Sequence, residues 1–229
     1  MKAIVLCGGL GTRLGALTQQ TPKPMLEVAG SPFLGHVLDS LVVEEISGIV
    51  LAVGFQWQTI QAFVGNQWRG LPVEYSVEAT ALGTGGAILN GMDHLQLEEA
   101  LIVNGDTLFA IDLRKFLQES KVHAVGTCMA LRAVNDCSRY GRVTVNGTGR
   151  VTSFGEKGHE GSGLINGGLY CQKRAPLKQV NMAVFSFESD YLATHHGNEP
   201  MVGLRFDSYF IDIGVPEDLA RAQVELRPV

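Results

Sequence analysis

Short apolar runs, each closed by a turn signal and followed by a stretch of helical spacing, narrow the folds open to this chain more than any other feature. Ala3–Leu6, Gly48–Val53, Val73–Val77 and Leu101–Val103 are mostly β-branched or aliphatic, as strands buried on both faces of a parallel sheet are. Between them, Phe33 to Leu41 sets Phe33, Val37, Leu38 and Leu41 on one face. Trp57 to Val64 repeats that spacing more weakly, and Thr84 to Met92 follows a glycine-rich turn. Such alternation specifies βαβ units and a parallel sheet. Beyond Asp106 the strand-like stretches Val122–Leu131, Arg142–Val145, Val151–Phe154 and Ile165–Tyr170 predict a mixed sheet. Pro216, Glu217 and Asp218 then open a closing helix that runs to about Leu226. The expectation is an α/β, Rossmann-like fold with a mixed, mainly parallel sheet flanked by helices.

A chain of 229 residues with 45% hydrophobic content is large enough for one substantial core and short for two, which predicts a single domain over residues 1–229. The formal net charge of -5 provides no field to gather nucleic acid or an anionic membrane. The partner expected is therefore a small molecule held by a few local cations, with no nucleic acid and no membrane. Cys7, Cys128, Cys137 and Cys171 are scattered without a CxxC pair. Neither a zinc site nor a disulfide framework is indicated, and a reducing, cytoplasmic setting fits. The leading apolar run meets a glycine loop too soon to serve as a signal segment or a membrane span.

That loop reads Cys7-Gly8-Gly9-Leu10-Gly11-Thr12-Arg13-Leu14. Three glycines let the backbone approach a ligand closely and turn its N–H groups toward an anion. The dinucleotide pattern GxGxxG fails because Leu14 stands where the third glycine belongs, and no Gly-Lys pair exists to make a P-loop. Arg13 and, ten residues later, Lys23 in Thr21-Pro22-Lys23-Pro24-Met25 supply two cations. The arginine fork and the lysine point charge suit a polyphosphate, and the flanking prolines restrict the backbone of Lys23.

A second glycine loop, Leu82-Gly83-Thr84-Gly85-Gly86-Ala87, stands where the third strand gives way to a helix. It suits a flat ring lying against backbone, and read alone it suits tight helix–strand packing equally well. Asp106, in Gly105-Asp106-Thr107, follows a buried strand end where a hard cation binds through oxygen. Asp212, in Phe210-Ile211-Asp212-Ile213-Gly214, lies in an apolar context where a carboxylate is costly unless paired or metal-bound. Glu156 has acceptors, Lys157 a positive charge, and Asn166 both a donor and an acceptor for a polar ligand. His195 and His196 are adjacent, so their side chains do not point together, and they read as loop residues. Trp57 and Trp68 read as packing.

The string GGLGTRLGALTQQTPKPM resembles the signature of the sugar nucleotidyltransferases. The resemblance implies a GT-A-like fold, with residues up to about 112 binding nucleotide and those from about 113 binding sugar phosphate. It assigns Leu6, Gly8, Gly9, Gly11, Thr12, Arg13 and Lys23 to the nucleotide, and Gly83, Thr84, Gly85 and Glu78 to its base. Asn104, Gly105, Glu156, Lys157, Asn166 and Gly167 go to the sugar phosphate, and Asp106 with Asp212 to Mg2+. Arg13, Lys23 and Asp106 would be catalytic. Gly158 stands where the family continues Glu-Lys with proline, and Asp106-Thr107-Leu108 lacks the DxD pair of nucleotide-sugar glycosyltransferases.

The reaction so implied is in-line: a sugar phosphate oxygen attacks the α-phosphorus of an NTP and pyrophosphate leaves. The attacking oxygen is already anionic, so no general base is needed. Within the family, LGTGGA, VNGDTLFAIDL, CMALRAVNDCSRYGRV, GLINGGLY, FSFESDYL and YFIDIGVPEDL resemble the branch that uses GTP and a heptose 1-phosphate to make GDP-heptose for surface polysaccharide. Mannose 1-phosphate with GTP, N-acetylmuramate 1-phosphate with UTP, and a catalytically silent sensor or subunit are the alternatives. The chain stops soon after Glu217-Asp218, so a minimal catalytic domain is expected, and a homodimer through an exposed apolar face is compatible with the sequence.

Overall fold

Every apolar run of the first half forms a strand. In the computed structural model, which describes residues 1–9, 12–18, 21–155, 158 and 160–229, with only the backbone of Thr12, Arg13 and Ala16, β1 (Lys2–Leu6) feeds two short 3-10 segments, Thr12–Thr18 and Lys23–Met25. The chain then runs through α1 (Phe33–Ser40), β2 (Gly48–Val53), α2 (Trp57–Val64), β3 (Leu71–Val77), α3 (Gly83–His94) and β4 (Glu99–Asn104). β1 pairs in parallel with β2 and with β4, and β2 with β3. The strand order β3-β2-β1-β4 therefore reverses between β1 and β4. At such a reversal the connections depart to opposite faces and leave a crevice beyond the carboxyl ends of the two strands. Leu6 and Asn104, partners in register, mark its floor.

The second half extends the same sheet. β5 (Thr107–Phe109), α4 (Leu113–His123), β6 (Thr127–Val134), β7 (Arg142–Val145), β8 (Val151–Phe154), β9 (Gly163–Lys173), β10 (Met201–Phe206), β11 (Phe210–Asp212) and α5 (Pro216–Glu225) follow in order. β9 runs antiparallel to β4, with Leu169 opposite Val103, and β6 runs antiparallel to β9 and parallel to β10. Among the described residues ten strands join in this mixed sheet. β11 pairs with β5 outside it.

Strand alternation sorts the core into two layers. Ala3 and Val5 point to the layer holding Phe33, Val37, Leu38, Ile60 and Phe116, whereas Ile4 points to the layer holding Ile88, Met92, Tyr170 and Phe187. The fold is thus α/β, with helices on both faces of a sheet whose centre is parallel.

The run Val122–Leu131, expected as one strand, is divided. α4 continues through His123 and β6 starts only at Thr127. Asp112 caps this helix by accepting from the Lys115 N–H at 3.0 Å, Leu113, Phe116, Leu117 and Ser120 are buried at helical spacing, and Ala124 ends it at φ 51°. Val122 is 83% exposed, so its β-branched side chain misleads when read as strand. Among the described residues no helix is long and apolar enough to cross a membrane.

Candidate active site

A cleft of about 520 Å³ opens over the carboxyl ends of β1 and β4. It gathers residues that the sequence keeps far apart: Leu6, Gly8, Gly9, Lys23, Glu78, Gly83, Thr84, Asn104, Asp106, Asn166 and Asp212 all line it. Gly11, Glu156 and Lys157 lie outside the described residues, as do the side chains of Thr12 and Arg13.

The floor is set by close backbone approach. The Gly105 N–H donates to the Leu6 carbonyl at 3.0 Å, and a Cβ at position 105 would lie 2.6 Å from that oxygen. Only glycine closes the gap, and the closure fixes the direction of Asp106. Asp212 arrives from β11, where it pairs with Thr107, while the Ile213 N–H donates to the Asp106 carbonyl at 3.1 Å. The Gly214 N–H donates to Asp212 Oδ1 at 2.7 Å and the Thr107 hydroxyl to Asp106 Oδ1 at 3.2 Å.

Lys23 enters on the 3-10 turn that the flanking prolines shape, closed by Met25 N–H to Pro22 O at 2.8 Å. Its side chain is 7% exposed, and its Nζ stands 2.5 Å from Asp106 Oδ2 and 3.6 Å from Asp212 Oδ1. A nearly buried ammonium is tolerable because two carboxylates face it. Those carboxylates also fit a hard divalent cation, which takes one or two carboxylate oxygens completed by substrate phosphates. The geometry already accommodates positive charge between them.

The second glycine loop forms one wall. Glu78 accepts from the Leu82 N–H at 3.0 Å, and burial pushes its carboxyl up while that hydrogen bond pulls it down. A Cβ on Gly8 would come within 3.1 Å of Glu78 Oε1, so the first loop and this acid lie in close contact. Thr84 Oγ1 accepts from the Phe187 N–H at 2.8 Å, which ties the loop to the 187–192 helical segment.

Three of the glycines singled out lie behind the lining. Gly85 donates its N–H to Phe185 O at 2.9 Å and is covered by the Phe185 ring. Gly105 backs onto Leu6, and Gly167 onto the Phe109 ring. At all three the close approach is to protein. Gly85→Ala should therefore destabilise the fold by about 1–3 kcal/mol, because the Phe185 ring must move. A denaturant midpoint equal to that of the native chain would contradict this.

Sequence reasoning missed Tyr140, Tyr170, Phe187, Glu188 and Phe210, which line the same cleft. Phe210 packs edge-on against Phe109 at 5.6 Å and Tyr140 at 5.9 Å. Its place two residues before Asp212 on a strand was a usable signal, since period two puts both on one face. Glu188 carried none, because its neighbour Asn166 is 22 residues away. His195 packs on Tyr191 and His196 on Phe154, and the Trp68 ring packs on Phe63 while its indole N–H donates to Asp39. None of these reaches the cleft lining.

The profile described as "Nucleotidyl transferase" matches residues 2–227. The chain is 38% identical to the D-glycero-alpha-D-manno-heptose 1-phosphate guanylyltransferase of Aneurinibacillus thermoaerophilus, over 99% of both chains. It is 41% identical to the protein of the same name from Campylobacter jejuni, over 95% of this chain and 96% of that one. The crystal structure of HddC from Yersinia pseudotuberculosis complexed with GMP-PN superposes with a TM-score of 0.86 at 32% identity, over 98% of both chains. A reversed parallel sheet, a glycine loop at its switch point and a lysine held by two aspartates thus coincide with full-length similarity, and the chain belongs to the nucleotidyl transferase family.

Proposed function

We propose that this protein transfers a guanylyl group from GTP to D-glycero-D-manno-heptose 1-phosphate, giving GDP-heptose and pyrophosphate. The observation that carries the reading is Lys23 held between Asp106 and Asp212 at the switch point of the sheet. Full-length similarity to proteins named heptose 1-phosphate guanylyltransferases supports the choice of substrates.

In this reading Gly8 and Gly9 bring backbone N–H groups to the triphosphate, and Arg13 and Lys23 offset the charge of the departing pyrophosphate. Asp106 and Asp212 would hold Mg2+, which when bound supplies charge neutralisation shared by the nucleotide α-phosphate and the sugar phosphate. Glu78, Gly83 and Thr84 border the base, while Asn104, Asn166, Glu156 and Lys157 serve the sugar phosphate. The attacking phosphate oxygen is anionic near neutral pH, so orientation and electrostatics suffice. Four buried, free cysteines suit a reducing cytoplasm.

The test is pyrophosphate release with each of the four NTPs against heptose 1-phosphate and mannose 1-phosphate. Release with GTP and heptose 1-phosphate at the highest kcat/KM is expected. A preference for another pair would replace the substrates, and silence across a panel widened to other sugar 1-phosphates, N-acetylmuramate 1-phosphate among them, would refute nucleotidyl transfer.

A further inference from the structure

Asp218, in the first turn of α5, is buried outside the cleft and paired with a residue whose neighbour lines it. Its side chain is 5% exposed, and its two oxygens face two arginines: Oδ2 stands 2.5 Å from Arg139 Nη2 and Oδ1 3.2 Å from Arg221 Nη1. A carboxylate so buried is tolerable only with such partners, and its place at a helix N-terminus adds a favourable field. Arg221 belongs to α5 itself, three residues on. Arg139 comes instead from the loop between β6 and β7, so its pair with Asp218 ties that loop to the closing helix.

The tie acts on Tyr140. Asp136 accepts from the Ser138 N–H at 2.9 Å and from its hydroxyl at 2.7 Å, and the Tyr140 N–H donates to Cys137 O at 2.8 Å, so hydrogen bonds within the loop set its backbone. The ring is set by its neighbours. The Arg139 guanidinium lies over it, 5.5 Å from the ring centroid, within the range of a cation–π attraction, while Phe210 meets it edge-on. The guanidinium thus bridges the Tyr140 ring and the buried carboxylate. The hydrogen bond to Asp218 is the largest influence raising the pKa of Arg139, and the Asp212 charge acts in the same direction, so this cation stands on the Asp212 side of the cleft. Tyr140 and Gly141 line the cleft, whereas Arg139 and Asp218 do not. Resting on the function proposed above, with residues from the second half of the chain serving the sugar phosphate, we infer that Asp218 is a positioning residue for that side of the site, acting through Arg139 on the Tyr140 ring.

Arg139→Gln and Asp218→Asn each remove one charge of the pair. Arg139 is 44% exposed, so its variant carries the test should Asp218→Asn fail to fold. In steady state both should raise KM for heptose 1-phosphate about tenfold, with KM for GTP within about twofold and kcat within about threefold of native. Arg221→Ala removes the other partner of Asp218 without touching the loop and should leave all three constants unchanged, even where the melting temperature falls as far. Beside Tyr140→Ala, Arg139→Gln should change KM by less than about twofold, because the ring it positions is gone. A KM for heptose 1-phosphate that is unchanged in Arg139→Gln, raised equally by Arg221→Ala, or raised as much beside Tyr140→Ala would overturn the positioning role and leave the proposed function standing. A native protein silent across the widened panel of NTPs and sugar 1-phosphates would overturn both.

Discussion

Asp106→Asn should lower kcat/KM for pyrophosphate release by about 10³-fold or more while the protein remains folded. Asparagine preserves the shape of the side chain and can still accept from the Thr107 hydroxyl, now at 3.2 Å. The close contact of β1 and β4 is made by Gly105, not by this carboxylate. What the substitution removes is one of two negative charges that converge at the switch point, and with it a hard oxygen ligand for a divalent cation. Steady-state assays beside a thermal melt check the claim. Activity within tenfold of the native enzyme, with an unchanged melting temperature, would show that Asp106 is not in the reacting centre.

Lys23→Met should also reduce kcat/KM by about 10³-fold, with the opposite effect on metal binding. The ammonium, 2.5 Å from Asp106 and 3.6 Å from Asp212, occupies the space between the two carboxylates. Removing it leaves two like charges facing each other, an arrangement that favours a cation. Calorimetric titration with Mn2+ in the absence of nucleotide should therefore show several-fold tighter binding in Lys23→Met and weaker binding in Asp106→Asn. Weaker binding in both variants would mean that the lysine supports the metal site rather than sharing its ligands.

The elements that position the site were legible because local pattern and tertiary role agree. Trp57–Val64 is helical over the expected residues, with Ile60 and Val64 buried four apart and Gly65 at φ 67° ending it. β1 and the two glycines that follow it, Gly8 and Gly9, were equally plain. α4 was not, because Val122 and the residues after it share the β-branched and apolar character of the strand they precede. The three glycines behind the lining show a different limit. Glycine permits close approach without saying to what, and Phe185, Leu6 and Phe109 supply the answer at positions 85, 105 and 167. Glu188 was hidden for a topological reason. It meets Asn166 only because β9 and the 187–192 segment return to the same end of the sheet, and no spacing rule links residues brought together that way.

The most direct test of the central claim is a 31P NMR spectrum of the protein with GTP, heptose 1-phosphate and Mg2+. The account predicts that the sugar monophosphate signal and the three GTP signals give way to a paired diphosphate signal from a GDP-sugar and to pyrophosphate, in equal amounts. Orthophosphate and free GDP in place of these products, or a spectrum that never changes, would contradict it.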